Sequence, residues 1–510
     1  MSEQDKKEKN IILQMKHIVK YYGALAANDD INLTLHEGEI LAVIGENGAG
    51  KTTLMKILYG LEHPTSGEIV LRGEPLHLKS AAQAISHGIG MVQQHFMLFD
   101  PFTVAENIVY GREPKKGLFF DIKAANETVA ALSKQYELPL NPTDRIEGMP
   151  VGLRQRVEIM KVLYQNADII IFDEPTAVLT PQEVRELLKT MKNLAKAGKS
   201  IIIITHKLNE VMEVADRAMV MRMGKHIADV DIADTSIEEL SMMMVGRKLI
   251  DKTIETIPAG EDVLKVDDLF LQGGGSVPII DHLSMHVAKG EIVGIAGVSG
   301  NGQSELSQVL LGLRKADSGS ITVCGQDIFN KKVRQVRETG VAMIPEDRYL
   351  WGSAREATIS ETAMMGHYRR PTLSKNGILY TKKLRSFAQN LVDEFGVKTD
   401  NIQLKTGSLS GGNAQKLIAA REIRQHTPLL IACEPTRGVD IGAMEFIHDR
   451  LIEKRSNGDA VLLISSELTE IMKLSDRIYV MYDGKINGEF TRENVNEEDL
   501  GLLMMGGKKE

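Results

Sequence analysis

The chain has 510 residues, 43% hydrophobic and 25% charged, a globular composition with room for about two to four domains rather than a disordered, collagenous or disulfide-rich one. Lys+Arg 61 against Asp+Glu 69 gives a formal net charge of −8, which argues against broad nucleic-acid binding. Two cysteines, Cys324 and Cys433, are too few for a disulfide framework and fit a reducing compartment.

The opening MSEQDKKEKN has no apolar stretch behind it, so no secretory signal is expected. No apolar run approaches the roughly 20 residues needed to span a bilayer. The expectation is a soluble cytoplasmic protein that reaches a membrane only through other proteins. In chain order, Ile40–Ile44 reads as a strand leading into a glycine-rich turn, then Thr52–Leu61 as a helix. The stretch 97–165 reads mainly helical. Ile169–Phe172 reads as a buried strand ending in Asp173-Glu174, Gln182–Ala197 as a helix, and Ile201–Thr205 as a strand ending at His206. This alternation predicts an α/β fold with a largely parallel sheet, interrupted by an inserted helical subdomain.

The same unit is then written again. Gly38-Glu39-Ile40, Gly45, Gly48, Gly50 and Ser66-Gly67 recur 252 positions later, as Gly290-Glu291-Ile292, Gly297, Gly300, Gly302 and Ser318-Gly319. Glu174-Pro175-Thr176 and Asp216-Arg217 recur 260 positions later, as Glu434-Pro435-Thr436 and Asp476-Arg477. The two offsets imply a tandem duplication with a net insertion of eight residues in the second copy, placed between 346 and 409. The expected domains are 1–247 and 263–510, joined by a linker at 248–262 that contains Pro258-Ala259-Gly260.

Gly45-Glu46-Asn47-Gly48-Ala49-Gly50-Lys51-Thr52, followed by Thr53, is a complete phosphate-binding loop between a strand and a helix. Its glycines let backbone N–H groups converge on phosphates at a helix N-terminus. Lys51 would reach the β- and γ-phosphates, and the Thr52 hydroxyl would ligate Mg²⁺. Asp173 would hold the same Mg²⁺ through water, and Glu174 would polarise an attacking water. No His/Cys cluster has zinc spacing.

Asp173-Glu174-Pro175-Thr176, Gln94 after a strand, His206, and Leu409-Ser410-Gly411-Gly412-Asn413-Ala414-Gln415 resemble the ABC ATPases, twice over almost the whole chain. The resemblance implies two tandem phosphate-loop NTPase domains, each a RecA-like core with a β-rich N-terminal subdomain and an inserted helical subdomain. It implies that such domains sandwich ATP and Mg²⁺ head to tail, each nucleotide lying between one domain's phosphate loop and the other's signature helix. By that analogy Tyr22 would stack on adenine, the packing of Tyr22 or Tyr21 in a half-apolar stretch being the alternative. Gln94 would sense Mg²⁺ and the attacking water, His206 would contact the γ-phosphate, and Ser410, Gly411 and Gly412 would supply the signature.

The two copies have decayed differently. Lys51, Gln94, Asp173 and His206 correspond to Gln303, Glu346, Cys433 and Ser466, and the Tyr22 position falls in the run Gly273–Gly275; only Glu434 keeps the catalytic type. The first copy has lost its signature instead, reading Met149-Pro150-Val151-Gly152-Leu153, where Pro150 offers neither hydroxyl nor N–H. Crosswise assembly therefore yields one complete site and one degenerate site.

Ile344-Pro345-Glu346-Asp347-Arg348, Glu434 to Asp440 and Ser465-Ser466-Glu467-Leu468 resemble the sugar-type bacterial importers. Val92–Phe99 and Gly297–Ser304 resemble most the nucleoside branch of these. That implies two membrane permease subunits, an extracytoplasmic solute-binding lipoprotein, no nucleic-acid partner, and a peripheral position on the cytoplasmic face of the membrane. Permease helices would dock beside Gln94 and Glu346. The apolar run Phe96–Phe102 is either half of that groove or simply core. The competing readings are a tandem ABC protein acting on ribosomes or DNA, and a non-hydrolysing scaffold.

Overall fold

The computed structural model describes residues 10–23, 25–93, 96–176, 179–246, 258–274, 277–298 and 300–507. The chain divides into two compact units, Met1–Asp251 and Lys252–Glu510. Most of the expected linker, 248–257, lies outside the described residues, whereas Asp262 at its end already opens the strand Asp262–Gln272.

The first unit has two sheets. Ile11–Tyr22 pairs antiparallel with both Leu25–His36 and Ser66–Leu71, and Glu74–Leu76 adds the edge. A six-stranded sheet runs Lys225–Asp231, Arg217–Arg222, Ile40–Gly45, Ser200–Thr205, Ile169–Asp173, Ile89–Val92, all parallel except Lys225–Asp231. Ile40–Gly45, Ile169–Asp173 and Ser200–Thr205 are buried along their whole length. Their unbroken Ile/Val/Leu runs fit a parallel sheet covered on both faces. Leu13, Met15, Ile18 and Ile31 of the small sheet pack with Leu41, Val43, Ile202 and Ile204 of the large one and with Leu54 and Met55 of the helix Lys51–Leu58. Each such side chain contributes about 1.5–3 kcal/mol on burial, and together they pack the Leu41 and Val43 face of the phosphate-loop strand.

The stretch 97–165 contains the helices Val104–Val109, Ile122–Gln135 and Val151–Tyr164, plus a two-residue hairpin, Lys115–Lys116 with Phe119–Phe120. The next helix starts at Pro181, one residue before the expected Gln182. Thr180 Oγ1 accepts from the Glu183 N–H, and the Glu183 carboxylate returns to the Thr180 N–H, a capping box with proline at the first helical position.

The second unit repeats this topology: a four-stranded antiparallel sheet and a six-stranded sheet of matching order. Equivalent elements locate the extra residues. The strands Ile89–Val92 and Val341–Ile344 stand 252 apart, the helices Val104–Val109 and Ile359–Met364 stand 255 apart, the hairpins at Lys115 and Ser374 stand 259 apart, and the helices at Val151 and Gly411 stand 260 apart. The insertion is therefore spread over three loops. The first of these holds the turn Arg348–Gly352.

Candidate functional site

The phosphate loop follows the strand Ile40–Gly45 and ends where the helix Lys51–Leu58 begins. Gly50 has φ 97°, and a Cβ there would run into the Ala27 carbonyl; at Gly45 it would run into the Met221 carbonyl. The loop thus threads between neighbouring backbone where only glycine fits. Lys51, 5% exposed, curls over it and donates to the carbonyls of Gly45 at 2.7 Å and Glu46 at 3.0 Å. Burial lowers the Lys51 pKa, opposed by the Glu174, Asp173 and Glu46 carboxylates. An ammonium whose partners are neutral carbonyls gains by exchanging them for phosphate oxygens.

Parallel register brings the rest of the chemistry to this sheet edge. Ile44 pairs with Thr205, and Ile204 with Asp173, so three strands end side by side. Thr52 Oγ1 donates to Asp173 Oδ1 at 3.4 Å. Burial, then the adjacent Glu174 carboxylate, pushes the Asp173 carboxyl up to about 6, with Lys51 opposing. A hydroxyl and a buried carboxylate are hard oxygen donors, the set that suits Mg²⁺. Glu174 sits at φ 47°, in the left-handed region, with its N–H on the Ile204 carbonyl at 2.9 Å. The His206 ring, its Nδ1 3.4 Å from Glu174 Oε1, holds the Glu174 carboxyl below its usual range against the opposing effect of burial. Glu174 is thereby ionised near neutral pH, as a base must be.

Tyr22 closes the strand Ile11–Tyr22 beside this loop. It is 44% exposed, with Lys20 Nζ 5.0 Å from the ring centre. Tyr21 is exposed as well, so neither tyrosine is a packing residue. Gln94 lies outside the described residues. Phe96–Phe102 is not core: Met97, Phe99 and Phe102 are exposed, and the Phe99 ring lies 5.2 Å from Phe102 and 4.9 Å from Tyr110.

Ser410, Gly411 and Gly412 belong to the second unit, where Ser410 caps the helix Gly411–Ile423. Its hydroxyl accepts from the Asn413 side chain at 2.9 Å and from the Asn413 N–H at 3.4 Å. In the first unit Pro150 stands at the same point and makes no side-chain cap bond, yet the helix Val151–Tyr164 forms.

The second unit's own loop is built differently. Buried Gln303 replaces the lysine. Ser304 Oγ donates to Glu346 Oε2 at 2.6 Å, and Arg437 Nη1 to Glu346 Oε1 at 3.3 Å. Burial pushes the Cys433 thiol up to about 12 and the Glu434 carboxyl up to about 7, although Ser466 donates to Glu434 from its N–H at 2.7 Å and its hydroxyl at 3.1 Å. The cleft lined by Gln303, Ser304, Glu346, Cys433 and Ser466 has a cavity volume of about 30 Å³. Glu346, the counterpart of Gln94, is thus paired with Arg437. The sequence signal for that partner was the replacement of Ala177 by Arg437 at the 260 offset.

A family profile described as ABC transporter matches residues 28–177 and 280–437. The chain is 48% identical to the nucleoside import ATP-binding protein NupA of Lactococcus lactis subsp. cremoris, over 97% of this chain and 98% of that protein. It is also 48% identical to the guanosine import ATP-binding protein NupO of Bacillus subtilis, over 97% of each. A solved structure of the archaeal ribosome recycling factor aABCE1 with the stalk protein aP1 is similar at TM-score 0.58 and 20% identity, covering 91% of this chain and 87% of that one; this likeness concerns fold alone. The chain belongs to the ABC transporter family, as an ATPase of the import type with two cassettes in one polypeptide.

Proposed function

We propose that this ABC ATPase powers nucleoside uptake through two membrane permease subunits on whose cytoplasmic face it docks, fed by an extracytoplasmic binding lipoprotein, and that it hydrolyses ATP at one site. The observation that carries the hydrolytic reading is the meeting of Lys51, Thr52, Asp173, Glu174 and His206 at one sheet edge. Lys51 trades its loop carbonyls for the β- and γ-phosphates. Tyr22 offers an exposed ring for adenine. Thr52, Asp173 and Gln94 are the groups that would hold Mg²⁺, whose chemistry is to neutralise charge on the transferring phosphoryl group. Glu174 takes the proton of the attacking water, and His206 keeps that carboxylate ionised and contacts the γ-phosphate. Because Pro150 cannot act as a signature serine, the contacts from that side come crosswise from Ser410, Gly411 and Gly412.

Nucleosides rather than sugars are favoured by the two relatives at 48% identity. The exposed patch of Met97, Phe99, Phe102 and Tyr110 supports the docking reading. Cells carrying Glu174→Gln should lose uptake of labelled guanosine while ribose and glucose uptake persists. Retained guanosine uptake rejects the nucleoside assignment. ATPase stimulation by ribosomes or DNA without any permease rejects the transport reading.

A further inference from the structure

We infer that Arg348 is a positioning residue for ATP hydrolysis, acting through the signature helix; the inference rests on the crosswise reading above. Arg348 Nη1 donates to the Gly411 carbonyl at 2.9 Å and to the Gly438 carbonyl at 3.4 Å, and Nη2 donates to the Arg437 carbonyl. Gly411 is the first residue of the signature helix Gly411–Ile423, and Arg437 and Gly438 follow Glu434. One guanidinium therefore ties the start of that helix to the segment after the second unit's catalytic-type carboxylate.

The surroundings are shaped for it. A Cβ at Gly438, where φ is 64°, would stand 2.6 Å from Arg348 Nη2, and one at Gly411 would stand 3.1 Å from Nη1. The turn that carries Arg348 is held at both ends. Asp347 Oδ1 accepts from the N–H groups of Tyr349 at 2.8 Å and Leu350 at 2.9 Å, and Ser353 Oγ donates to the Arg348 carbonyl at 2.8 Å. At the other end of the turn, Arg421 from the signature helix donates to the Gly352 carbonyl at 2.8 Å. A rigid turn thus meets the helix at its first residue and again near its end. Supporting groups of this kind are what hold reacting geometry to fractions of an ångström.

The clamp accompanies the intact signature. At the 252 offset Phe96 stands in place of Arg348, and at the 260 offset Ala177 and Val178 stand in place of Arg437 and Gly438. Among the described residues of the first unit, the loop after residue 95 meets its helix elsewhere: Met97 N–H donates to Glu158, Lys161 donates to the Met97 carbonyl, and Arg154 pairs with Asp100. The start of that helix is instead held from within: Arg154 of the helix itself donates from Nε to the Met149 carbonyl and from Nη2 to the Ile146 carbonyl, each at 3.1 Å, so the fork there ties the helix to the loop before it and does not come from the turn that carries Arg348 in the second unit.

The test uses the full-length chain. Arg348→Lys keeps the charge but replaces a planar fork with one ammonium, which cannot span three carbonyls. Gly438→Ala leaves Arg348 present and pushes a methyl group into its place. Each should lower kcat for ATP hydrolysis by about tenfold or more, while the ATP dissociation constant measured in a Glu174→Gln background changes by less than about twofold and the melting temperature stays near that of the unsubstituted protein. Retention of kcat within about twofold in both variants overturns the inference, as does a kcat loss that only tracks melting temperature or ATP affinity. Ser410→Ala separates the two layers. Loss of kcat there with full activity in both clamp variants rejects Arg348 and keeps the crosswise reading; full activity in Ser410→Ala rejects that reading, and the inference with it.

Discussion

The two units share one architecture and differ in what stands at the edge of the large sheet. In the first, a buried lysine bonds only backbone carbonyls, and a carboxylate next to a histidine stays ionised. In the second, a glutamine fills the lysine position, and the serine after it is bonded to a glutamate that an arginine also holds. The first edge keeps a lysine on neutral carbonyls, whereas the second pairs its glutamate with a serine and an arginine. The lesson is that hydrophobic patterning keeps a duplicated fold intact after its chemistry has gone, because the strands that carry the site are buried for reasons unrelated to phosphate.

The largest expected contrast is catalytic. Glu174→Gln should lower kcat by about 10²–10⁴-fold, the range for losing a general base, while Glu434→Gln leaves it within about twofold. Steady-state phosphate release measures both, and equal losses would break the asymmetry. Stability should not share it. Leu54 and Leu306 are fully buried equivalents in the phosphate-loop helices, and truncating either to alanine should cost about 2–5 kcal/mol. Denaturant melts give that cost, and a fluorescent ATP analogue shows which variant loses affinity; only Leu54→Ala should.

A smaller difference lies in pH. Burial raises the Glu434 carboxyl to about 7, so the folded protein keeps a proton that the unfolded chain sheds near 4.5. Stability from this group is therefore present at low pH and declines as pH rises from about 4.5 to 7, by on the order of 1–3 kcal/mol. Glu434→Gln should flatten the melting-temperature profile over that window; an unchanged slope would mean that Glu434 is solvated. The smallest effect is a null. Gln303→Lys in the Glu174→Gln background should restore no turnover, because Glu346 and Cys433 still deny Mg²⁺ its ligands, and phosphate release above background would show the second edge to be one substitution from function.

Local chemistry was legible in the sequence where it depended on neighbours in the chain. The glycine-rich loop, the apolar strand ending in Asp173-Glu174 and the strand before His206 all fold as their patterns suggest, because periodicity and turn chemistry act over a few residues. Even the one-residue error at Pro181 was readable in Thr180 and Glu183. What escaped notice joins distant segments. Arg348 and Gly411 are 63 apart in sequence, Arg437 and Glu346 are 91 apart, and no local pattern links them. The dispersal of the eight extra residues escaped for the same reason, since offsets fix a total and not its distribution. The exposure of Met97, Phe99 and Phe102 was undecidable from an apolar run, which reads alike in a core and on a surface.

The turn Arg348–Gly352 carries the chain's single tryptophan, Trp351, at 55% exposure. Excited at the red edge of its absorption, where the 11 tyrosines contribute little, the lone indole makes the protein's ultraviolet emission a report from one place. Its wavelength and quenching by added iodide follow the surroundings of this turn and of nothing else in the polypeptide. Any rearrangement of the signature helix start during a turnover cycle can therefore be timed in the unlabelled protein by stopped-flow fluorescence, with no dye and no engineered cysteine.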